Sequence, residues 1–291
     1  MYKSNMRRIS FTLLLILACW VQSIAQVVCN NNAAGTVQQV NTSITLPSYS
    51  IPPGENSLLV VASLVTQSET TIGVTYNGNS LTTLGNSNSA LDLSFWYLPL
   101  GDLTSVMSGD IVATNSGVLN QDVALFATSF WNVDQSAPMH SLVVSGQIPV
   151  NAPTSNLTVT CAPGDKAIDF ITAQSNNNQP APILTPGQDQ NLEIEDRGGV
   201  AFGPFSSSIS VSNQIFDANT VDMEWNIMGN SSVSNFHIAA GIKSAGELEA
   251  AAPIPTLSQW GLISLAILLC IVGLVYSRQA NRSKLIISRI D

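Results

Sequence analysis

The sequence predicts an all-β fold: one large antiparallel β-sandwich, jelly-roll-like, set between two apolar ends. Three observations predict it. Between positions 37 and 242 the apolar residues fall in short runs with period two, rich in β-branched and aromatic side chains. Gly, Pro and Asn interrupt these runs at short intervals. No stretch between the two ends has a helical period.

The N-terminus reads as a secretory signal. Lys3, Arg7 and Arg8 precede an apolar run at 11–21. That run is too short to span a bilayer, which takes a helix of about 20 residues. Ser23-Ile24-Ala25 offers small residues where signal peptidase reads, so residues 1–25 are expected to be removed before Gln26. An uncleaved anchor is the alternative. A lipoprotein signal at Ile16-Leu17-Ala18-Cys19 is another, and the bulky Leu17 weighs against it.

The ectodomain is expected over 26–244. Strands are predicted at 57–66, 70–76, 80–84, 91–98, 110–114, 121–130, 156–161, 166–173, 207–216, 221–227 and 235–242. Tyr76-Asn77-Gly78-Asn79 marks a hairpin, because Asn-Gly supplies positive φ. Pro52-Pro53-Gly54, Asn176-Asn177-Asn178 and Thr185-Pro186-Gly187 mark loops. Two smaller sandwiches split near 146–155 are the alternative architecture. A single domain is preferred because a Cys29–Cys161 bridge would join its two parts.

That bridge follows from cysteine placement. Cys19 lies in the signal and Cys270 in the C-terminal apolar run, which leaves Cys29 and Cys161 for an oxidising compartment. Between positions 26 and 260 there are 18 acidic and 3 basic residues, a net of −15. Such a surface repels phosphate backbones, so nucleic acid is excluded as a partner.

Trp96, Trp131, Phe95, Phe130 and Trp225 are the expected aromatic anchors. Phe95 and Trp96 are neighbours on one strand and so face opposite sides. One of such a pair could stand exposed, and Trp96 and Trp131 are the candidates for stacking on a sugar of a surface polysaccharide.

No catalytic constellation stands out. There is no G-x-S-x-G and no H-E-x-x-H, and His140 and His237 are the only histidines. Each is expected on the surface or on a strand. The protein is therefore expected not to be an enzyme. Asp189, Glu193, Glu195 and Asp196 form the one acidic cluster. Glu193 and Glu195 alternate onto one face of an extended strand, where hard carboxylates could take up calcium. No other cofactor is expected. Paired carboxylates also leave open a glycoside hydrolase.

Ala, Gly and Glu at 245–253 read as a linker. Beyond it stands Ile254-Pro255-Thr256-Leu257, then Trp260-Gly261. Thr256 can cap a helix, with Gln259 at the spacing of a capping box. A helix over 257–277 has 21 residues. At 1.5 Å per residue it is about 31 Å long, the hydrocarbon thickness of a bilayer. Trp260 falls at the interface, and Arg278, Arg282, Lys284 and Arg289 would stay cytoplasmic. The order of Ile254, Pro255, Thr256, Leu257, Trp260 and Gly261, one apolar span and a basic cluster resembles the IPTL-type C-terminal protein-sorting signal (IPTL-CTERM). The resemblance covers positions 254–291. It implies processing by an exosortase-type membrane protease and delivery to the cell surface or extracellular matrix. The tail 285–291 is longer and more apolar than the resemblance leads one to expect.

The reading is an exported, membrane-sorted structural or adhesive protein with its ectodomain outside the cytoplasm. Its expected partners are the lipid bilayer, signal peptidase and the sorting protease. A surface-displayed carbohydrate-binding module is the alternative, and a secreted glycoside hydrolase the third.

Overall fold

The computed structural model describes residues 26–246, apart from 31, 41, 67–69, 88–90, 118–120, 150–151, 176–178, 199–204, 213–218 and 230–234. The expected signal peptide, positions 247–253 of the linker, and the sorting tail with its helix at 257–277 lie outside the described residues. Among the described residues, no helix is long and apolar enough to cross a membrane.

The first half of the ectodomain contains β1 (Val28–Cys29), β2 (Ala34–Val40), β3 (Ser43–Ile51), β4 (Gly54–Val65), β5 (Thr71–Tyr76), β6 (Asn79–Ser80), β7 (Thr82–Asn86), β8 (Asp92–Leu103), β9 (Met107–Asn115) and β10 (Gln121–Trp131). The second contains β11 (Val143–Ile148), β12 (Thr154–Thr160), β13 (Lys166–Gln174), β14 (Ile183–Pro186), β15 (Gln190–Gly198), β16 (Phe205–Ser212), β17 (Thr220–Met228) and β18 (Asn235–Ile242). Every pairing among them is antiparallel.

These strands make four sheets rather than the two of a single sandwich. The first half has an inner sheet, β10-β4-β8-β7 with β1 and β2 both on the free edge of β10, and an outer sheet, β3-β9-β5-β6. The second half has an inner sheet, β11-β18-β13-β16-β15, and an outer sheet, β12-β17-β14. The two halves repeat one another. With the stubs β1 and β6 set aside, each half runs through eight strands. Numbered within its half, each inner sheet has the order 1-8-3-6-5 and each outer sheet 2-7-4.

The core clusters give the layer order. Ile44, Tyr49, Leu59, Val61, Trp96, Ile111 and Leu125 lie between the first half's two sheets. Leu58, Phe95, Phe126, Phe170, Ile209 and Ile238 lie between the two inner sheets. Phe126 and Phe170 meet there with ring centroids 5.5 Å apart. The inner sheets are thus covered on both faces. β4 reflects this: Leu58, Val60, Ala62 and Leu64 enter the central layer, while Leu59, Val61 and Val65 enter the first half's own core. A strand buried on both sides reads as a continuous apolar run. The outer strands β12 and β17 alternate strictly between exposed and buried, because one face meets water.

Contacts at the sheet edges are reciprocal. A Cβ on Gly35 of β2 would sit 2.4 Å from Phe126 and 3.2 Å from Ile194 of β15. A Cβ on Gly85 of β7 would sit 3.1 Å from Leu142, next to the start of β11. The first strand of each half therefore lies against the fifth strand, or its neighbourhood, in the other.

Three expectations are decided here. The Asn77-Gly78 hairpin forms, with φ of 48° and 80° at its two central residues, the positive pair such a turn needs. Phe95 and Trp96 do face opposite sides, but both are buried, since each side of β8 meets another sheet. The Cys29–Cys161 disulfide is absent: both are thiols. Cys29 sits on the β10 edge of the first half. Cys161 packs in the second half's core with Leu157, Val159 and Met223.

Candidate functional site

The second half's core is divided by polar side chains. Asp169 points from β13 toward the outer sheet, since its neighbours Ile168 and Phe170 point into the central layer. Asp169 pairs with Ala239 of β18, which places His237 diagonally beside it on the same face. His237 Nε2 lies 3.0 Å from Asp169 Oδ2. On the other side of the ring, Ser155 Oγ lies 3.0 Å from Nδ1. Trp225 Nε1 donates to Asp169 Oδ2 at 2.7 Å, and Gln190 Nε2 donates to it at 3.1 Å. Ser210 donates its backbone N–H and its hydroxyl to Oδ1, at 3.0 and 2.7 Å.

With His237 as donor, five groups converge on one carboxylate. They come from β15, β16, β17 and β18. An ionised carboxylate is acceptor-only and can take up such a set. The network also ties the inner sheet to the outer one through Trp225 and Ser155, which are paired neighbours on β17 and β12.

Ser155, His237 and Asp169 thus form a Ser-His-Asp chain, which sequence reasoning did not find. Its members are 82 and 68 residues apart. The one available signal was Asp169 inside the apolar run Ala167-Ile168-Asp169-Phe170-Ile171. A charge there needs buried partners. The arrangement differs from a hydrolase triad. Here serine meets Nδ1 and the carboxylate meets Nε2, the reverse of the catalytic pattern. His237 and Asp169 have no solvent exposure and Ser155 has 6 %, so nothing on this side chain path opens to a substrate.

His140 is half-buried. Its Nε2 lies 2.8 Å from Asp165 Oδ2, and the Ala162 and Ser244 N–H groups cap the same carboxylate. Burial, with the Asp165 carboxylate nearby, pushes the Cys161 thiol up to about 12, so it stays protonated and unreactive.

A second feature is an open groove of about 300 Å³ lined by Gln26, Cys29, Lys166, Asn191, Glu193 and Val211. Lys166 Nζ donates to the Ser212 carbonyl at 3.0 Å. Burial lowers the Lys166 pKa from its ordinary value. Burial raises that of Glu193, opposed by a hydrogen bond from Cys29 and by the Lys166 charge.

The expected site residues are scattered. Asp189 is exposed in the turn before β15. Glu193 is the extra residue of a bulge between Leu192 and Ile194. Asn191 and Glu193 both face the groove, and Ile194 turns into the central layer. The bulge therefore breaks the alternation that would have put Glu193 and Glu195 on one face. The side chain of Asp196 is outside the described residues. Among the described residues no three His, Cys, Asp or Glu side chains are grouped to hold a metal. Trp96 is not available for stacking: it is 7 % exposed and its Nε1 donates to Ser63 Oγ at 3.2 Å. Trp131 is half-buried, its ring against Gly54, where a Cβ would lie 2.3 Å away. The sorting motif, Ile254 to Gly261, lies outside the described residues.

Comparison with known proteins bears on that tail. The IPTL-CTERM motif matches residues 252–280, so the chain carries this sorting signal at its C-terminus. No curated protein matches the chain. Among solved structures it is similar to the infectious bursal disease virus VP2 subviral particle at 10 % identity and a TM-score of 0.23, over 78 % of this chain and 42 % of that one. It is also similar to the STIV MCP at 13 % identity and a TM-score of 0.22, over 79 % and 99 %. The chain spans less than half the length of the first of these. Superpositions this loose carry no argument about fold or function.

Proposed function

We propose that this chain is an exported structural or adhesive protein, brought to the cell surface or extracellular matrix by its C-terminal signal. The IPTL-CTERM match at 252–280 is the observation that carries this reading. It brings with it an exosortase-type protease as partner. A helix over 257–277, as the sequence predicts, would cross the bilayer until processing, with its basic end in the cytoplasm.

The ectodomain suits a load-bearing part. We read its repeated strand order, 1-8-3-6-5 over 2-7-4, as two jelly-roll-like sandwiches in tandem, with the fifth strand moved to the inner sheet. Their inner sheets share one core, so neither half opens without exposing the other's apolar face. No catalysis is assigned. The Ser155–His237–Asp169 chain is read as a core fastening because it is sealed.

A carbohydrate-binding role is the second reading, and of its two aromatic candidates only Trp131 keeps partial exposure.

The test is mass spectrometry of the mature protein's C-terminus in its own host. The wild type is expected to have lost the tail. A variant with Pro255→Ala and Trp260→Ala is expected to keep it and stay in the membrane fraction. A tail removed equally well from both would end the sorting reading.

A further inference from the structure

The groove beside β1 brings together a lysine, a carboxamide and a carboxylic acid. Lys166 starts β13, and Asn191 and Glu193 lie on β15, with β16 between them. The lysine already reaches across part of this gap, since its Nζ donates to the carbonyl of Ser212 on β16. Ser212 is paired with Gln190, the residue before Asn191. The amine is therefore held at β16, about one strand spacing (~4.8 Å) from β15 and one residue along from the level of Asn191, which pairs with Val211. Val27 and Val211 form an apolar wall and are almost fully buried.

We propose that Lys166 and Asn191 join in an intramolecular isopeptide bond that fastens the edge strand β15 to the centre of its sheet. The chemistry balances without an oxidant or cofactor. The Lys166 Nζ lone pair attacks Asn191 Cγ, forming a C–N bond. The Cγ–Nδ2 bond breaks and ammonia leaves. Glu193 is the proton carrier: starting as the neutral acid, it gives its proton to the departing nitrogen, and the carboxylate so formed takes one from the attacking amine and is returned to the acid. Partial burial favours the neutral amine and the neutral acid, the two forms this exchange starts from. Groups held in one groove gain the usual advantage of an intramolecular reaction. β15 is an edge strand that such a bond would secure. It has a single neighbour in its sheet and carries a bulge.

The inference goes beyond the sorting reading and does not depend on it, since it concerns peptides far from the tail. The test is peptide mapping of the full-length purified protein after denaturation and reduction. The expected result is a branched peptide joining Lys166 to Asn191, lighter than its linear parts by one ammonia. It should be absent from Lys166→Arg and Asn191→Ala and strongly diminished in Glu193→Gln. Cyclisation of an N-terminal Gln26 has the same mass change, but it gives no branched peptide. Natively folded wild type that yields Lys166 and Asn191 only in linear peptides would overturn the proposal, whatever the variants do.

Discussion

The two halves of the ectodomain share a strand order and differ in what fills them. Between the first half's two sheets the core is largely apolar, and several of its polar side chains make separate local bonds rather than one shared network. Tyr76 donates its hydroxyl to the Tyr49 and Met107 carbonyls, and Trp96 its N–H to Ser63. The second half has two apolar clusters, one around Val159 and Met223 and one around Ile171 and Trp225. The Asp169 network divides them. One topology therefore tolerates two kinds of core. What both must preserve is the alternation of outer strands and the double burial of inner ones. The difference is in how each fails. An apolar core loses stability in proportion to the atoms removed. A polar network fails all at once, because removing one member leaves the others buried without partners.

The largest expected effect tests that contrast. Asp169→Ala leaves His237, Trp225, Gln190 and Ser210 with unmet donors in a sealed space. It should cost about 3–5 kcal/mol, as when one partner of a buried pair is removed. Ser63→Ala in the first half leaves one buried donor, the Trp96 N–H, without its partner and should cost about 1–3 kcal/mol. Urea unfolding of both variants against wild type measures the difference. Equal losses would show that the second half is held by its apolar clusters alone.

A smaller effect is expected where the halves meet. Gly35 is in contact with Phe126 of its own half and Ile194 of the other. Gly35→Ala forces a methyl into space held by the Phe126 ring and should cost about 1–3 kcal/mol. The same change at Gly73, where a Cβ meets nothing within 4 Å, is the control and should stay within about 0.5 kcal/mol. If both are neutral in thermal unfolding, β2 is not clamped between the halves.

The sequence was most legible where strands are interior. β4, β5, β8, β9, β10, β13, β16, β17 and β18 all have two neighbours, and each was anticipated within a few residues. The strands absent from the predicted set are at edges or on the edge of β10: β1, β2, β3, β11, β14 and β15, the last read only as an extended acidic segment. Their sequences explain why. β3 contains Pro47 and bulges between Leu46 and Tyr49, and β14 ends on Pro186. β2 carries Gly35 and β11 carries Gly146. Edge strands tolerate these residues because they need not bond on both sides. Missing them hid the repeat, since the first and second strands of the first half were among them. The Asp169 site was hidden for another reason. Its members are adjacent only after β13, β16 and β18 have paired. Stacking one sandwich on another also reversed the reading of Trp96: alternation put it on the face away from Phe95, and only the extra layer made both faces interior.

The last contrast is between two buried carboxylates. Asp169 is met by donors on both oxygens. Asp92 of the first half is 1 % exposed, and its Oδ2 accepts from Ser94 at 3.2 Å and from the Thr71 N–H at a long 3.4 Å. Burial outweighs these bonds and raises the Asp92 pKa above its ordinary 3.8. The folded state thus binds this proton more tightly than the unfolded chain. The resulting stabilisation is fully present below pH 3.8 and is lost as pH climbs through the raised folded value. Asp92→Asn keeps an acceptor and has no charge to bury. At neutral pH the variant should melt a few degrees above wild type, and the gap should close as the solution is acidified below the ordinary carboxylate value. A variant that melts below wild type at neutral pH would mean that the Ser94 and Thr71 bonds stabilise the Asp92 charge more than burial opposes it. Asp92 would then resemble Asp169, and the two cores would differ less than their side chains suggest.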